Sequence, residues 1–208
     1  MSKNPKEKIL SAALKEFAAH GYGGARMDTI SKEAGVNKAM LFYYFVSKEN
    51  LYQTVIDSAL KEYLKGVRSM MRPDLSPQKL LEELPKLIFT FFSKKRDIIR
   101  LIGFELIQNP DNLVPYMSRV LQGGVINGPK LVSRRVTSWY KKGKITEPDP
   151  LHFILNIMSL SIFSIVVRPM VAGIFGRSDE DDDKFYEKRI QSVTNVLIHG
   201  MLAPIGEK

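Results

Sequence analysis

Between Met27 and Phe45 two short amphipathic stretches are folded back on each other around Gly35-Val36-Asn37. Helices that cross steeply through so short a link need a backbone position with positive φ, and Gly35 supplies it without steric cost. Ser31 is small where the second helix must pass close. Ile30, Ala34, Val36 and Leu41 have the spacing that fills the wedge between the two, and Asn37 stands where it caps the second. Turning that helix by about 100° per residue puts Leu41 and Phe45 on one face, with Phe42 at its border. Ala39, Met40 and Tyr43 then point the other way, with Tyr44 on the flank.

A short helix with such an outward face fits a DNA major groove. Ala39 permits close backbone approach, and Ala39 or Met40 can touch a thymine methyl. Lys38, at the helix start, can reach a guanine edge or a phosphate. The hydroxyls of Tyr43 and Tyr44 suit phosphate oxygens. An ordinary pair of packed helices would present a merely polar outer face, whereas here two adjacent tyrosines lie beside a lysine. The chain carries a net charge of +9 with a pI near 9.6, which favours polyanionic partners without choosing among them. The first fifty residues hold eight Lys/Arg against five Asp/Glu, so the excess is spread along the chain and the motif carries the case.

The remaining residues read as helices joined by short breaks, with no period-2 strand and no repeat. Lys6–His20 is amphipathic through Ile9, Ala13 and Phe17 and ends at Gly21-Tyr22-Gly23-Gly24. Ser47 opens a long helix to about Met71. Ser76-Pro77 starts one to about Ser93 that Pro85 should kink, and Arg96–Gln108 runs to Asn109-Pro110. Leu113–Lys142 forms one or two helices, loosened at Gly123-Gly124 and Gly128-Pro129. Asp149-Pro150 begins an apolar helix to about Gly173, and a capping box of Ser178 with Asp181 precedes a last helix, Asp182–Met201. The expected fold is all-α: a three-helix helix-turn-helix domain over 1–46, then a larger helical regulatory and dimerisation domain over 47–208, with 47–71 as connecting helix.

Several classes are excluded. The absence of cysteine removes disulfides and thiolate metal sites and accords with a cytoplasmic location. The lysine-rich start lacks the apolar core of a signal peptide. No nucleophile elbow, phosphate loop or paired-histidine metal motif is present, and His20, His152 and His199 stand apart, so neither an enzyme nor a cofactor or metal is expected.

The N-terminal segment resembles the DNA-binding domain of the TetR (tetracycline-repressor) family. The likeness covers about Lys6 to Val55 and rests on Gly21-Tyr22, on Ile30-Ser31-Lys32-Glu33-Ala34-Gly35-Val36, and on Leu41-Phe42-Tyr43-Tyr44-Phe45 followed by Ser47-Lys48-Glu49-Asn50-Leu51. It implies a homodimer of all-helical subunits that represses transcription at a near-palindromic operator and lets go when a small ligand fills the C-terminal domain, swinging the long helix. It also assigns Lys48 to a phosphate, which the start of a helix favours independently. Two positions depart from the family pattern. Phe42 replaces a tyrosine and is expected to pack, and Arg26 replaces a Ser or Thr cap but can reach a phosphate or a guanine. The DNA-binding set is therefore Arg26, Asn37, Lys38, Ala39, Met40, Tyr43, Tyr44 and Lys48.

Beyond the motif, the stretch from Leu151 is apolar nearly all round. Seventeen residues precede Arg168-Pro169, short of the roughly 20 a membrane span needs, so burial against core and partner is expected instead, with no membrane. Ile154, Met158, Ile162 and Ile165, with Ile190, Val193, Leu197 and Met201 from the last helix, are the expected dimer interface. Phe89, Phe92, Phe104, Met117, Trp139 and Phe153 either line a pocket for a mainly apolar or aromatic effector or are simply core. Glu105 and Arg168 are expected solvated or paired. The acidic run 179–183 reads as helix capping, and Arg134-Arg135 with Lys141-Lys142-Gly143-Lys144 as a solvated face or an added nucleic-acid surface. A DNA-binding regulator without a small-molecule ligand, constitutive or protein-modulated, is the alternative.

Overall fold

The computed structural model describes residues 4–108, 110–123 and 128–204 and is built of helices: α1 (Pro5–Gly24), α2 (Met27–Ala34), α3 (Lys38–Tyr44), α4 (Lys48–Met70), α5 (Pro77–Phe92), α6 (Arg96–Gln108), α7 (Pro110–Gly123), α8 (Gly128–Lys141), α9 (Pro150–Ile174) and α10 (Asp182–Met201). The only pairing of extended backbone among these residues is an isolated bridge between Ile145 and Leu202. The all-α expectation holds.

Several helix starts carry the caps the sequence announces. Asn37, Ser76 and Asp149 each accept a backbone N–H from the first turn that follows them, and Pro77 and Pro150 occupy positions where a missing N–H costs nothing. The last helix differs. Asp181, not Ser178, is its cap and accepts the Lys184 N–H. Pro85 lies inside a continuous α5. The expected breaks at Asn109 and Gly124 fall outside the described residues.

Two compact units divide the chain: 1–62 with 95–123, and 63–94 with 124–208. The expected division into 1–46 and 47–208 is drawn differently, because α6 and α7 pack with the N-terminal helices. In the first unit α1 lies along α6 and α2, and Ile9, Ala13 and Phe17 are buried. Gly21 adopts φ +67 in the last turn of α1, and a Cβ there would overlap the Phe104 ring. Just beyond this break the Tyr22 N–H donates to the Glu105 carboxylate, which is wholly buried and whose Oε2 has no partner. Tyr116 donates to the Gln53 carbonyl at 2.8 Å and to Asp57 at 2.5 Å. Burial and that carboxylate together raise the Tyr116 pKa above the ordinary phenol range.

In the second unit α5 packs on α9 and α10, and α8 on α9. The core face of α9 presents Phe153, Ile157, Ser161, Ile165, Arg168 and Ala172. Ser161 and Ser164 donate to carbonyls one turn back. Arg168 is buried and paired: it donates to the Glu180 carbonyl at 2.8 Å, approaches Asp182 at 3.5 Å, and stacks over Phe185. Helix α9 does not stop before Arg168-Pro169 but runs for 25 residues, so by length and composition it could cross a membrane. That corrects the length reasoning. A buried, ion-paired arginine on the same helix fits a protein core better.

The six aromatic or soft residues considered for a pocket are divided between the units. Phe104 and Met117 belong to the first, where Phe104 sits at Gly21. In the second, Phe89 lies tilted against Tyr186 and Trp139 tilted against Phe153, and Phe89, Phe92, Trp139 and Phe153 are all buried.

The left-handed glycines make a stability test. Gly35 has φ +66 and open space around its missing Cβ, so Gly35→Ala should cost about 1–2 kcal/mol from backbone strain alone. Gly21→Ala adds the overlap with Phe104, about 1–3 kcal/mol more. Urea unfolding of the two variants should show that order, and equal costs would contradict the packing at Gly21.

Candidate nucleic-acid interface

Helix α2 ends at Gly35, whose N–H bonds the Lys32 carbonyl while the Val36 N–H bonds that of Ser31. This pair of bonds closes the helix end and turns the chain directly into α3. Ser31 is buried and its hydroxyl donates to the Asp28 carbonyl. Asn37 Oδ1 accepts the Met40 N–H at 2.7 Å, and Ser47 Oγ accepts the Asn50 N–H at 3.1 Å. Helix α3 is thus capped at its start, and the next helix is capped three residues after it ends.

Leu41 is fully buried and Phe45 is 1% exposed, whereas Tyr43 is 82% exposed. Arg26, Asn37, Lys38, Ala39 and Met40 are also exposed, while Tyr44 and Lys48 are half-buried. Seven of the eight candidates cluster on α3 and the residues flanking it. Arg26 stands apart as the residue before α2: its side chain makes no cap, and its N–H donates to Glu16. Tyr43 and Tyr44 meet edge to face, with centroids 5.4 Å apart.

Three features go beyond the sequence reading. Phe42 was expected to pack, yet it is 41% exposed, because a position at the border of a seven-residue helix is only half covered by neighbours. Val46 is almost fully exposed between α3 and α4, so the outward face is more apolar than anticipated. The cations are also partly engaged. Lys38 Nζ lies 2.7 Å from Asp28 and holds that carboxyl below its usual range, first by the hydrogen bond and then by charge. Lys48 Nζ donates to the Gly23 carbonyl at 3.2 Å and sits 5.0 Å above the Tyr22 ring. Asn37 has spent its carbonyl oxygen as a cap, leaving its amide donors. Asp28 carried a signal only in hindsight: it lies ten residues before Lys38, across the turn.

Residues 9–55 match the model of bacterial regulatory proteins, tetR family. The chain is 29% identical over 196 residues to the HTH-type transcriptional regulator RutR of Escherichia coli, covering 94% of this chain and 90% of that protein. Residues 9–55 are thus a TetR-family DNA-binding domain, on a chain whose relatives are transcriptional regulators. The chain is also 25% identical to the biofilm operon icaADBC HTH-type negative transcriptional regulator IcaR of Staphylococcus aureus, covering 93% and 98% of the two chains. The fold matches that of the fatty acid degradation regulator FadR from Bacillus halodurans, with a TM-score of 0.66, 20% identity and coverage of 96% and 97%. A TetR-family regulator binds DNA and acts on transcription, and the relatives are regulators, not enzymes.

The Asp28–Lys38 pair makes a prediction. Asp28→Asn removes an exposed carboxylate beside α3 and frees Lys38, so duplex DNA of any sequence should bind several-fold tighter, with a salt slope steeper by about one unit. Fluorescence anisotropy across a salt series measures both. Weaker binding would mean that Asp28 orients Lys38 productively.

Proposed function

We propose that the chain is a cytoplasmic homodimeric repressor in which residues 1–46 hold DNA and 47–208 carry regulation and dimerisation. Two copies of α3, about 34 Å apart, would read a near-palindromic operator. The observation that carries this is the phase of α3, with Leu41 and Phe45 hidden and Tyr43, Met40 and Ala39 turned outward. In this reading Lys38 and Arg26 meet phosphate or guanine, Ala39 and Met40 meet thymine methyls, and the hydroxyls of Tyr43 and Tyr44 meet phosphates. Lys48 offers its remaining ammonium donors to a phosphate at the start of α4, and Asn37 its amide. The name of IcaR, a negative regulator, supports repression.

For the dimer, the apolar surface of the protomer redraws the expected interface. Ile165, Val193, Leu197 and Met201 are buried in the protomer's own core and cannot form it, and Ile154, Met158, Ile162 and Ile190 are only partly exposed. The stripe left uncovered on α9 is Leu155, Phe163, Val166, Met170 and Ile174, with Val196 on α10. So large an apolar surface on a soluble chain calls for a partner, and a second copy is the one proposed.

Release by a small, mainly apolar or aromatic effector is part of the proposal. The close packing of Phe89, Phe92, Trp139 and Phe153 favours the second reading, a regulator without such a ligand. A gel shift on the DNA upstream of the chain's own coding sequence, repeated with small aromatic compounds, separates the two. Release by any compound supports the effector, and retention with all of them supports the second reading.

Two variants test the surfaces. Tyr43→Ala should lower DNA affinity about tenfold with unchanged mass by light scattering, and a lost dimer would place that side chain in the wrong role. Phe163→Glu with Met170→Glu should give folded monomers, whereas a dimer that persists would move the interface off α9.

A further inference from the structure

The cations near the end of α8 are left unassigned by the DNA reading. They line a cleft of about 340 Å3 that lies wholly within the second compact unit, between α8 and the loop joining α4 to α5. Arg134, Arg135, Lys142 and Lys144 meet there with a single carboxylate, Asp74. Among the described residues none of Arg134, Lys142, Lys144 or Asp74 has an ion pair.

The cleft is built, not a chance gathering of surface lysines. Arg134 and Ser138 on α8 and Lys142 just past its end recur at four-residue intervals, and the Lys142 N–H still bonds the Ser138 carbonyl, so the three share one face. Arg135 donates to the Met71 carbonyl at 3.4 Å and to that of Arg72 at 2.5 Å, which pins the α4–α5 loop as the opposite wall. Its Nε–H is buried without a partner. After α8, Gly143 takes φ +62 and donates to the Tyr140 carbonyl, while the Lys144 N–H bonds that of Trp139. This left-handed closure turns Lys144 back toward the cleft, and the Ala203 N–H holds the Lys144 carbonyl in place.

A bland account would have these lysines serving the α8 C-terminus, whose carbonyls attract cations. Those of Ser138, Trp139 and Tyr140 are already satisfied by backbone N–H groups, and Arg134 lies two turns upstream. Ser76, the cap of α5, also lines the cleft, so the positive end of a sixteen-residue helix adds to the same field. Four like charges with one carboxylate repel one another until an anion enters. The volume, at the lower end for small-molecule sites, holds one or two phosphate groups and a modest organic part against Leu75 and Trp139.

We propose that this cleft binds a small phosphate-bearing molecule, held by Arg134, Lys142 and Lys144 at the N-terminus of α5, with Arg135 fixing the wall. The inference is independent of the DNA reading, since binding is measured without DNA.

Trp139 lines the cleft and is the chain's single tryptophan, so its emission reports occupancy. The full chain is titrated with pyrophosphate and with ADP, following Trp139 fluorescence and, in parallel, heat by calorimetry. Saturable binding that weakens with added salt is expected. Tighter binding of ADP than of pyrophosphate assigns the organic part to the Leu75–Trp139 wall, and equal affinity places recognition in the phosphates. The double variant Arg134→Gln, Lys142→Gln should lose about tenfold or more in affinity with an unchanged melting temperature. Lys86→Gln, an exposed charge loss on α5 outside the cleft, should lose little. The proposal is overturned if neither fluorescence nor heat saturates up to about 10 mM, if Lys86→Gln weakens binding as much as the double variant, or if Trp139 responds only to anionic phospholipid vesicles.

Discussion

Helix α3 is held by two side chains it does not show. Seven residues make about two turns, too few to persist alone in water, so its orientation comes from Leu41 buried within it and Phe45 buried at its end. Rotating the helix by one residue would drive Phe42 inward and expose Leu41, and every outward candidate would leave the solvent-facing side. The caps sharpen the same constraint. Asn37 fixes where α3 begins, Phe45 N–H bonding to the Leu41 carbonyl fixes where it ends, and Ser47 restarts the chain as α4. What α3 can offer DNA therefore follows from what it must hide.

Much of this was legible because the controlling interactions are local. A turn glycine followed by an asparagine cap, and a 3.6-residue phase over eight positions, lie within one window of sequence. The same holds for Ser76-Pro77 and Asp149-Pro150, where side chain and bonded N–H are two or three residues apart. Asp181 displaced Ser178 as a cap for a related reason: in a run of acidic residues several could cap, and the choice depends on where Arg168 and Lys188 draw Asp182 and Glu180.

What could not be read depends on distant residues. The Glu105 carboxylate meets the Tyr22 N–H across 83 positions, and nothing near either residue announces it. That contact belongs with the packing of α6 along α1, which groups α6 with the N-terminal helices. Helix α9 is illegible for another reason. It is apolar almost all round, so its sequence carries little phase information, and Ile165 could be assigned outward as readily as Phe163. Helix α10 does have a stripe, but Val193, Leu197 and Met201 spend it on the protomer's own core. Aromatic identity likewise does not distinguish the lining of a cavity from the filling of a core, as the Trp139–Phe153 pair illustrates.

Charge is where the net value of +9 misleads most. Around α3 the positive side chains are already occupied, Lys38 by Asp28 and Lys48 by the Gly23 carbonyl and the Tyr22 ring. A phosphate approaching Lys38 must compete with a carboxylate, while one approaching Lys48 joins an ammonium whose direction is already set. The first arrangement weakens non-specific attraction, and the second limits the entropy lost on contact. With Met40, Phe42, Tyr43 and Val46 exposed beside them, the proposed DNA-reading surface is apolar and aromatic as much as it is cationic. At the cleft of the second unit the order is reversed: cations with no ion pair among the described residues surround a concavity of about 340 Å3. The two proposed anion sites thus differ in design: the cations at α3 are already engaged, while those of the cleft form no ion pair among the described residues.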